Sequence, residues 1–233
     1  MATRTVSNKE IKIIKKWLDN NQDSRSEDIV KDLESVIAKE FQTEKVICTN
    51  SAMGSLHLAL QTIGVGPGDE VIVDPIVVFG GMAAMYQNAV PVFADIDLET
   101  YNIDPKSISE RITPRTKAIV CTHHFGNICD MKSILLLAKQ HNIPVIEDCA
   151  HSLYSTQNEK FAGLFGDFAA FSFNHRKQLS TGQGGFLLIN SKGYAEKSKD
   201  KGFGRIPSRL TWNYAMSGIV AAIAIAQWDN AKD

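Results

Sequence analysis

Apolar and polar positions along the chain follow two different periods, and the change between them divides it. Near the start, apolar residues recur every three or four positions: Ile11, Ile14, Trp17 and Leu18, then Ile29, Leu33, Val36 and Ile37. That is the stripe of an amphipathic helix, so two helices open the chain. Ser7 with Glu10, and Ser24 with Glu27, stand three apart at the two starts, the spacing of a reciprocal serine–glutamate cap. Beyond them, short apolar runs without polar alternation take over. They predict strands over 46–48, 70–73, 91–94, 118–122, 144–147, 168–173 and 185–189. Helical patterns lie between them, one beginning near Ser51 and others over 79–87, 105–111 and 131–140. Strands that are apolar on both faces and alternate with helices predict an α/β chain with a largely parallel sheet covered by helices. Ligands of such sheets bind beyond the carboxyl ends of the strands.

Composition excludes several classes. A net charge of -1 gives no electrostatic footprint for nucleic acid or an anionic membrane. The longest apolar run near the end, "GIVAAIAIAQW", is too short to span a bilayer. The first residues pass directly into a helical pattern without a signal peptide's apolar core, so a cytoplasmic location is expected. Cys48, Cys121, Cys129 and Cys149 form no C-x-x-C pair, and three of them sit in or beside apolar strand-like runs, as buried reduced thiols do. The closing pattern "SGIVAAIAIAQWDNAKD" stops without a terminating glycine or proline, which reads as a fragment of something longer.

Three places carry candidate chemistry. "IPVIEDCAHS" is an apolar strand ending on Glu147 and Asp148. A carboxylate there can cap the next element, bind a metal or hold a protonated nitrogen heterocycle; no cluster at ligand spacing in the sequence supports the metal. Lys177 follows the strand "DFAAFSF" and precedes "QLSTGQGG". A phosphate-binding P-loop needs its lysine after the glycines, so that motif is rejected. Gly182, Gly184 and Gly185 instead make a tight turn, beside which Lys177 is either a solvated loop residue or a desolvated amine suited to Schiff-base chemistry. Ser51, followed by small residues, is a serine N-cap or the mouth of an anion site at a helix start.

In this order these stretches resemble the sugar aminotransferases of the DegT/DnrJ/EryC1/StrS group, fold-type I enzymes that use pyridoxal phosphate. The likeness runs over "VGPGDEVIV", "PVFADID", "HHFG", "VIEDCAHS", "GLFGDFAAFSF", "KQLSTGQGG" and "NYAMSGIVAAIAIAQ". It implies a three-layer αβα fold in which residues 1–233 are the opening helices plus the large cofactor-binding domain, with the family's smaller C-terminal domain missing. It implies that Lys177 is the Schiff-base lysine and that Asp148 pairs with the pyridinium nitrogen. His151 would lie beside the ring's 3-oxygen and Phe79 against the ring. Ser172 and the N–H groups of Met53 and Gly54 would hold the phosphate, joined by Asn213 from the neighbouring subunit of a homodimer. The implied reaction moves an amino group from glutamate or glutamine to a keto-sugar or keto-cyclitol, with no metal. The chain departs from the family pattern at Ala52–Met53, where Gly-Thr is usual, at Ala215, commonly arginine, and at Gln183, usually glutamate. Two alternatives follow from the same scaffold. One is a sugar dehydratase, in which histidine replaces the lysine and for which His175 is the nearby candidate. The other is a non-catalytic fragment or degenerate paralogue.

Overall fold

The computed structural model describes residues 7–20, 26–199, 212–228 and 231. Helices α1 (Asn8–Asn20) and α2 (Ser26–Phe41) come first, then β1 (Lys45–Thr49), α3 (Ala52–Ile63), β2 (Glu70–Val73), α4 (Phe79–Tyr86) and β3 (Val90–Phe93). After α5 (Pro105–Arg111) come β4 (Thr116–Thr122), α6 (Met131–His141), β5 (Val145–Asp148) and a two-strand ribbon of β6 (Thr156–Gln157) and β7 (Lys160–Phe161). The chain then runs through β8 (Phe168–Ser172), β9 (Gly185–Ile189), α7 (Lys192–Lys199) and α8 (Gly218–Trp228).

Seven strands form one sheet in the order β1-β9-β8-β5-β4-β2-β3. The pairs from β8 through β5, β4 and β2 to β3 are parallel. Only β9 runs against the rest, antiparallel to both β8 and β1. The reason lies in residues 173–184, which hold no helix and so cannot make the crossover that a parallel pair needs.

Alternation along the strands splits the core into two. In β4, Ile119 and Cys121 face a core completed by Leu33, Ile37 and Phe41 of α2, Ile134 of α6 and Trp228 of α8. Ala118 and Val120 face the other core, with Leu56, Ala59 and Leu60 of α3 and Ala83 of α4. Helices therefore cover both faces of the sheet, the expected three-layer arrangement. All four cysteines are buried and free.

Two caps form as the sequence predicts. Ser7 N–H donates to Glu10 Oε2 at 2.7 Å and Glu10 N–H to Ser7 Oγ at 3.2 Å. Ser51 caps α3, its Oγ accepting the Gly54 N–H at 3.1 Å. Ser24 lies outside the described residues. The stripe of α1 differs from expectation: Ile11 is 54% and Leu18 55% exposed, while Glu10 is buried, accepting Gln227 Nε2 of α8 at 2.9 Å. This helix packs along α8 and not on the sheet, so a narrower face of it is covered.

Candidate active site

The ends of β4, β5 and β8 lie side by side, with Thr122 opposite Asp148 and Asp148 opposite Ala170. Ser51, at the start of α3, bridges to Gly184 across the same edge. A cavity of about 500 Å³ opens there, lined by residues from α3, α4, the strand ends and the loop after β8. Of the residues singled out in the sequence, Met53, Phe79, Asp148, His151, Ser172 and Lys177 line it. Gly54 sits one step deeper, its N–H already given to Ser51 Oγ. A Cβ on Gly54 would fall 2.9 Å from both Asn50 Oδ1 and Tyr214 Cδ1, so glycine there serves packing. Asn213 is exposed and stands outside the cavity, its Oδ1 accepting the Ala215 N–H at 3.2 Å. Its segment hangs on the rest through Asn50 N–H to Tyr214 O (2.8 Å) and Tyr214 Oη to His57 Nδ1 (2.7 Å).

The loop after β8 folds back on itself. Phe173 N–H reaches Gly184 O at 2.9 Å and His175 N–H reaches Gly182 O at 3.2 Å. Lys177 N–H closes a turn onto Asn174 O at 2.9 Å. The turn needs Gly182 and Gly184 at φ +86° and +131°, and Gly185 lets the strand pass α3: a Cβ there would sit 2.5 Å from Phe171 O and 2.7 Å from Ala52 N. The result aims Lys177 into the cavity, whereas His175 is exposed and takes no part in its lining.

Charge in the cavity is unbalanced. Asp148 is buried with one hydrogen bond, from the Ala150 N–H at 3.0 Å. Burial raises its pKa; that N–H and the Lys177 charge offset only part of the rise. Burial lowers the pKa of half-buried Lys177, and Asp148 opposes the drop. His151 is pushed down by burial and by the nearby Lys177 and His124, and its buried Nδ1 has no hydrogen-bond partner among the described residues.

Sequence reasoning missed what lies beneath. Asp74, at the end of β2, and His124, after β4, are both buried and meet at 3.2 Å. Burial raises the Asp74 pKa, but bonds from His124, Val77 and Thr122 bring it below the ordinary value. Phe125 is 81% exposed at φ +54°, a left-handed conformation costly for a bulky residue, and stacks on His151 with ring centroids 6.1 Å apart. The only sequence signal was the polar His123–His124 pair at a strand end. The expectation of no ligand-type cluster near Asp148 is also corrected: His123, Glu147 and Cys149 bring their ligand atoms within 4.8 Å of one another. Residues distant in sequence meet there because β4 and β5 are neighbours. The Glu147 carboxylate is already filled by the N–H groups of Gly163, Phe165 and Gly166 at 2.8, 2.7 and 2.6 Å and by His123 Nε2 at 2.8 Å.

A mixed seven-stranded sheet between two helical layers, with a lysine and a buried aspartate converging beyond its parallel strand ends, is the architecture of a fold-type I aminotransferase. The chain belongs to the DegT/DnrJ/EryC1/StrS aminotransferase family, whose profile matches residues 4–233. It is 35% identical to the GDP-perosamine synthase of Escherichia coli O157:H7, over 98% of this chain and 65% of that protein. It is 40% identical to the spore coat polysaccharide biosynthesis protein SpsC of Bacillus subtilis (strain 168), over 81% of this chain and 49% of that protein. Among solved structures, 3-amino-5-hydroxybenzoic acid (AHBA) synthase superposes with a TM-score of 0.91 at 26% identity, over 99% of this chain and 63% of that one. An aminotransferase from Psychrobacter cryohalolentis does so at 0.88 and 29% identity, over 99% and 63%. The chain thus spans between about half and two thirds of the length of these relatives.

Proposed function

We propose that this protein is a pyridoxal-phosphate-dependent aminotransferase that moves an amino group from glutamate or glutamine to a keto-sugar, often nucleotide-linked, or a keto-cyclitol, in amino-sugar or polysaccharide biosynthesis. The observation that carries the reading is the pairing of Lys177 with Asp148 in one cavity. A buried carboxylate with a single N–H partner asks for a cation, the orphaned His151 Nδ1 asks for a polar neighbour, and the lining also includes Ser172 and the first turn of α3, which offer donors. A flat heterocycle with a protonated ring nitrogen, a hydroxyl oxygen on the ring and a phosphate fits this donor set. Relatives of similar fold are described as PLP and PMP forms of a Streptococcus pneumoniae sugar aminotransferase.

Asp148 would hold the protonated ring nitrogen, and His151 would lie beside the ring oxygen. Phe79 would lie against the ring face. Ser172 Oγ accepts the Asn174 N–H at 3.2 Å, which leaves its own proton to give to phosphate. Met53 N–H lies in the first turn of α3, where no intrahelical carbonyl is available to it. Bound there, the cofactor supplies an aldehyde for amines and a ring that accepts carbanion density. Lys177 would hold it covalently and then act as the base at the donor's α-carbon, since burial favours the neutral amine that can take a proton.

We place residues 1–233 in one unit, supported by the packing of α1 and α2 on α8. A homodimer is the assembly we infer, because Asn213 lies outside its own chain's cavity and because Val78, Met82, Met85, Val90 and Phe93 leave an apolar face exposed around α4 and β3. The four free cysteines accord with the cytoplasm. No described helix is long and apolar enough to cross a membrane.

The test is a titration with pyridoxal 5′-phosphate. A visible absorbance band should form, vanish in Lys177→Ala and move when glutamate is added, in a preparation that sediments as a dimer. A wild-type chain that forms no band overturns the catalytic reading. A band that glutamate leaves in place points to the dehydratase or degenerate alternatives.

A further inference from the structure

Two basic side chains border the cavity, and the chemistry proposed above uses only Lys177. Arg176, its neighbour, lines the same cavity from the turn at residues 174–177. Its backbone N–H donates to Asn174 Oδ1 at 3.4 Å and its Nε to His175 Nε2 at 3.2 Å. No carboxylate of the described residues pairs with its guanidinium.

The surroundings define what this free charge can recognise. Asp148 is the one carboxylate lining the cavity, and it belongs to the β5 end. Arg176 contacts Asn174, and the same cavity is lined by Ser172 and the first turn of α3, which present a hydroxyl proton and backbone N–H groups. A donor-rich wall with an unpaired guanidinium accepts an anion, and the planar fork of arginine suits phosphate oxygens. We propose that Arg176 is a phosphate-recognition residue of this cavity. The phosphate is either that of the cofactor or the diphosphate of a nucleotide-linked substrate. This inference rests on the aminotransferase reading for the source of the phosphate, but not for the anion preference.

Binding constants of residues 1–233, read by fluorescence, test it with three probes: pyridoxal 5′-phosphate, pyridoxal and GDP. Arg176→Gln and Arg176→Lys are compared with wild type after matched thermal melts confirm folding. If the phosphate is the cofactor's, Arg176→Gln weakens pyridoxal 5′-phosphate by roughly 10- to 100-fold, the worth of a charged hydrogen bond, and spares pyridoxal. If it is the substrate's, the same loss falls on GDP and both pyridoxal probes are spared. Partial recovery in Arg176→Lys supports either source. Affinities for all three probes within twofold of wild type in Arg176→Gln overturn the proposal. A wild type that binds GDP, with the loss in Arg176→Gln, but neither pyridoxal probe keeps this inference while refuting the aminotransferase reading.

Discussion

Glu147 is expected to hold more of the fold than any other single polar side chain near the cavity. Its four donors, the N–H groups of Gly163, Phe165 and Gly166 and Nε2 of His123, leave no room for a donor in its place. Glu147→Gln keeps the shape and replaces one oxygen with NH2. With the amide turned one way, that NH2 faces Phe165 and Gly166; turned the other way, it faces Gly163 and His123. The histidine cannot give way by changing tautomer, because its Nδ1 accepts the Cys129 N–H at 3.2 Å. Two donors, at least one of them buried, therefore lose their acceptor in either orientation.

Each stranded donor costs about 1–3 kcal/mol, so the substitution should cost roughly 2–6 kcal/mol. At roughly 2–4 °C per kcal/mol for a chain of this size, the thermal midpoint should fall by about 5–20 °C. Differential scanning at one fixed scan rate measures the fall. Hydrogen exchange locates it, since the Gly163, Phe165 and Gly166 amides should exchange faster than in wild type while those of β2 hold. A midpoint within 2 °C of wild type, or a fall with those three amides unaltered, would show that the carboxylate is not what fastens the 163–166 turn.

Three other substitutions test the site's energetics. Burial raises the Asp148 pKa, so the folded cofactor-free chain holds that proton more tightly than the unfolded chain, and stability drains away as pH rises through the raised value. Asp148→Asn should therefore melt above wild type, by a margin that grows as pH rises above the ordinary carboxylate range and levels off once the raised value is passed, while losing affinity for the proposed cofactor; a margin constant with pH counts against the burial argument. At the glycine turn, Gly185→Ala places a Cβ 2.5 Å from a backbone oxygen and should cost at least about 2 kcal/mol, whereas Gly182→Ala meets open space and carries only the roughly 1–2 kcal/mol of a left-handed conformation. Chemical denaturation should rank them in that order, and the reverse order refutes the close-approach reading of Gly185.

Much of the fold was legible because its signals are local. Apolar runs bounded by turn residues gave β2 and β9 at their observed limits, 70–73 and 185–189, and the helical pattern between strands gave α5 at 105–111. What escaped was set by contacts between distant residues or by polar composition. Helix α7 carries too few apolar residues to register as a stripe. The reversal of β9 was visible only as a short connection. Within the site, Asp148 and Lys177 were readable because each ends or follows an apolar run. Asp74 and His124 were not, because they are 50 residues apart and meet only when β2 and β4 pair.

The clearest case is the step from Glu147 to Asp148, where adjacent carboxylates looked alike in sequence. Strand alternation separates them. Val145 and Cys149 face the core under α2 and α6, and Glu147 shares their side. Ile146 faces the core under α3, and Asp148 shares its side. One face of the sheet meets the N–H groups of the 163–166 turn, so the carboxylate there is saturated and fixes structure. The other meets the cavity, so the carboxylate there keeps an unfilled valence for hydrogen bonds and a charge held at a cost. A one-residue slip of β5 would exchange the two roles, placing a saturable group in the cavity and the starved one in the core. The Glu147 anchor therefore does more than stabilise. It helps to hold the register that turns Asp148 to the cavity, which ties the large loss expected for Glu147→Gln to the chemistry proposed on the opposite face.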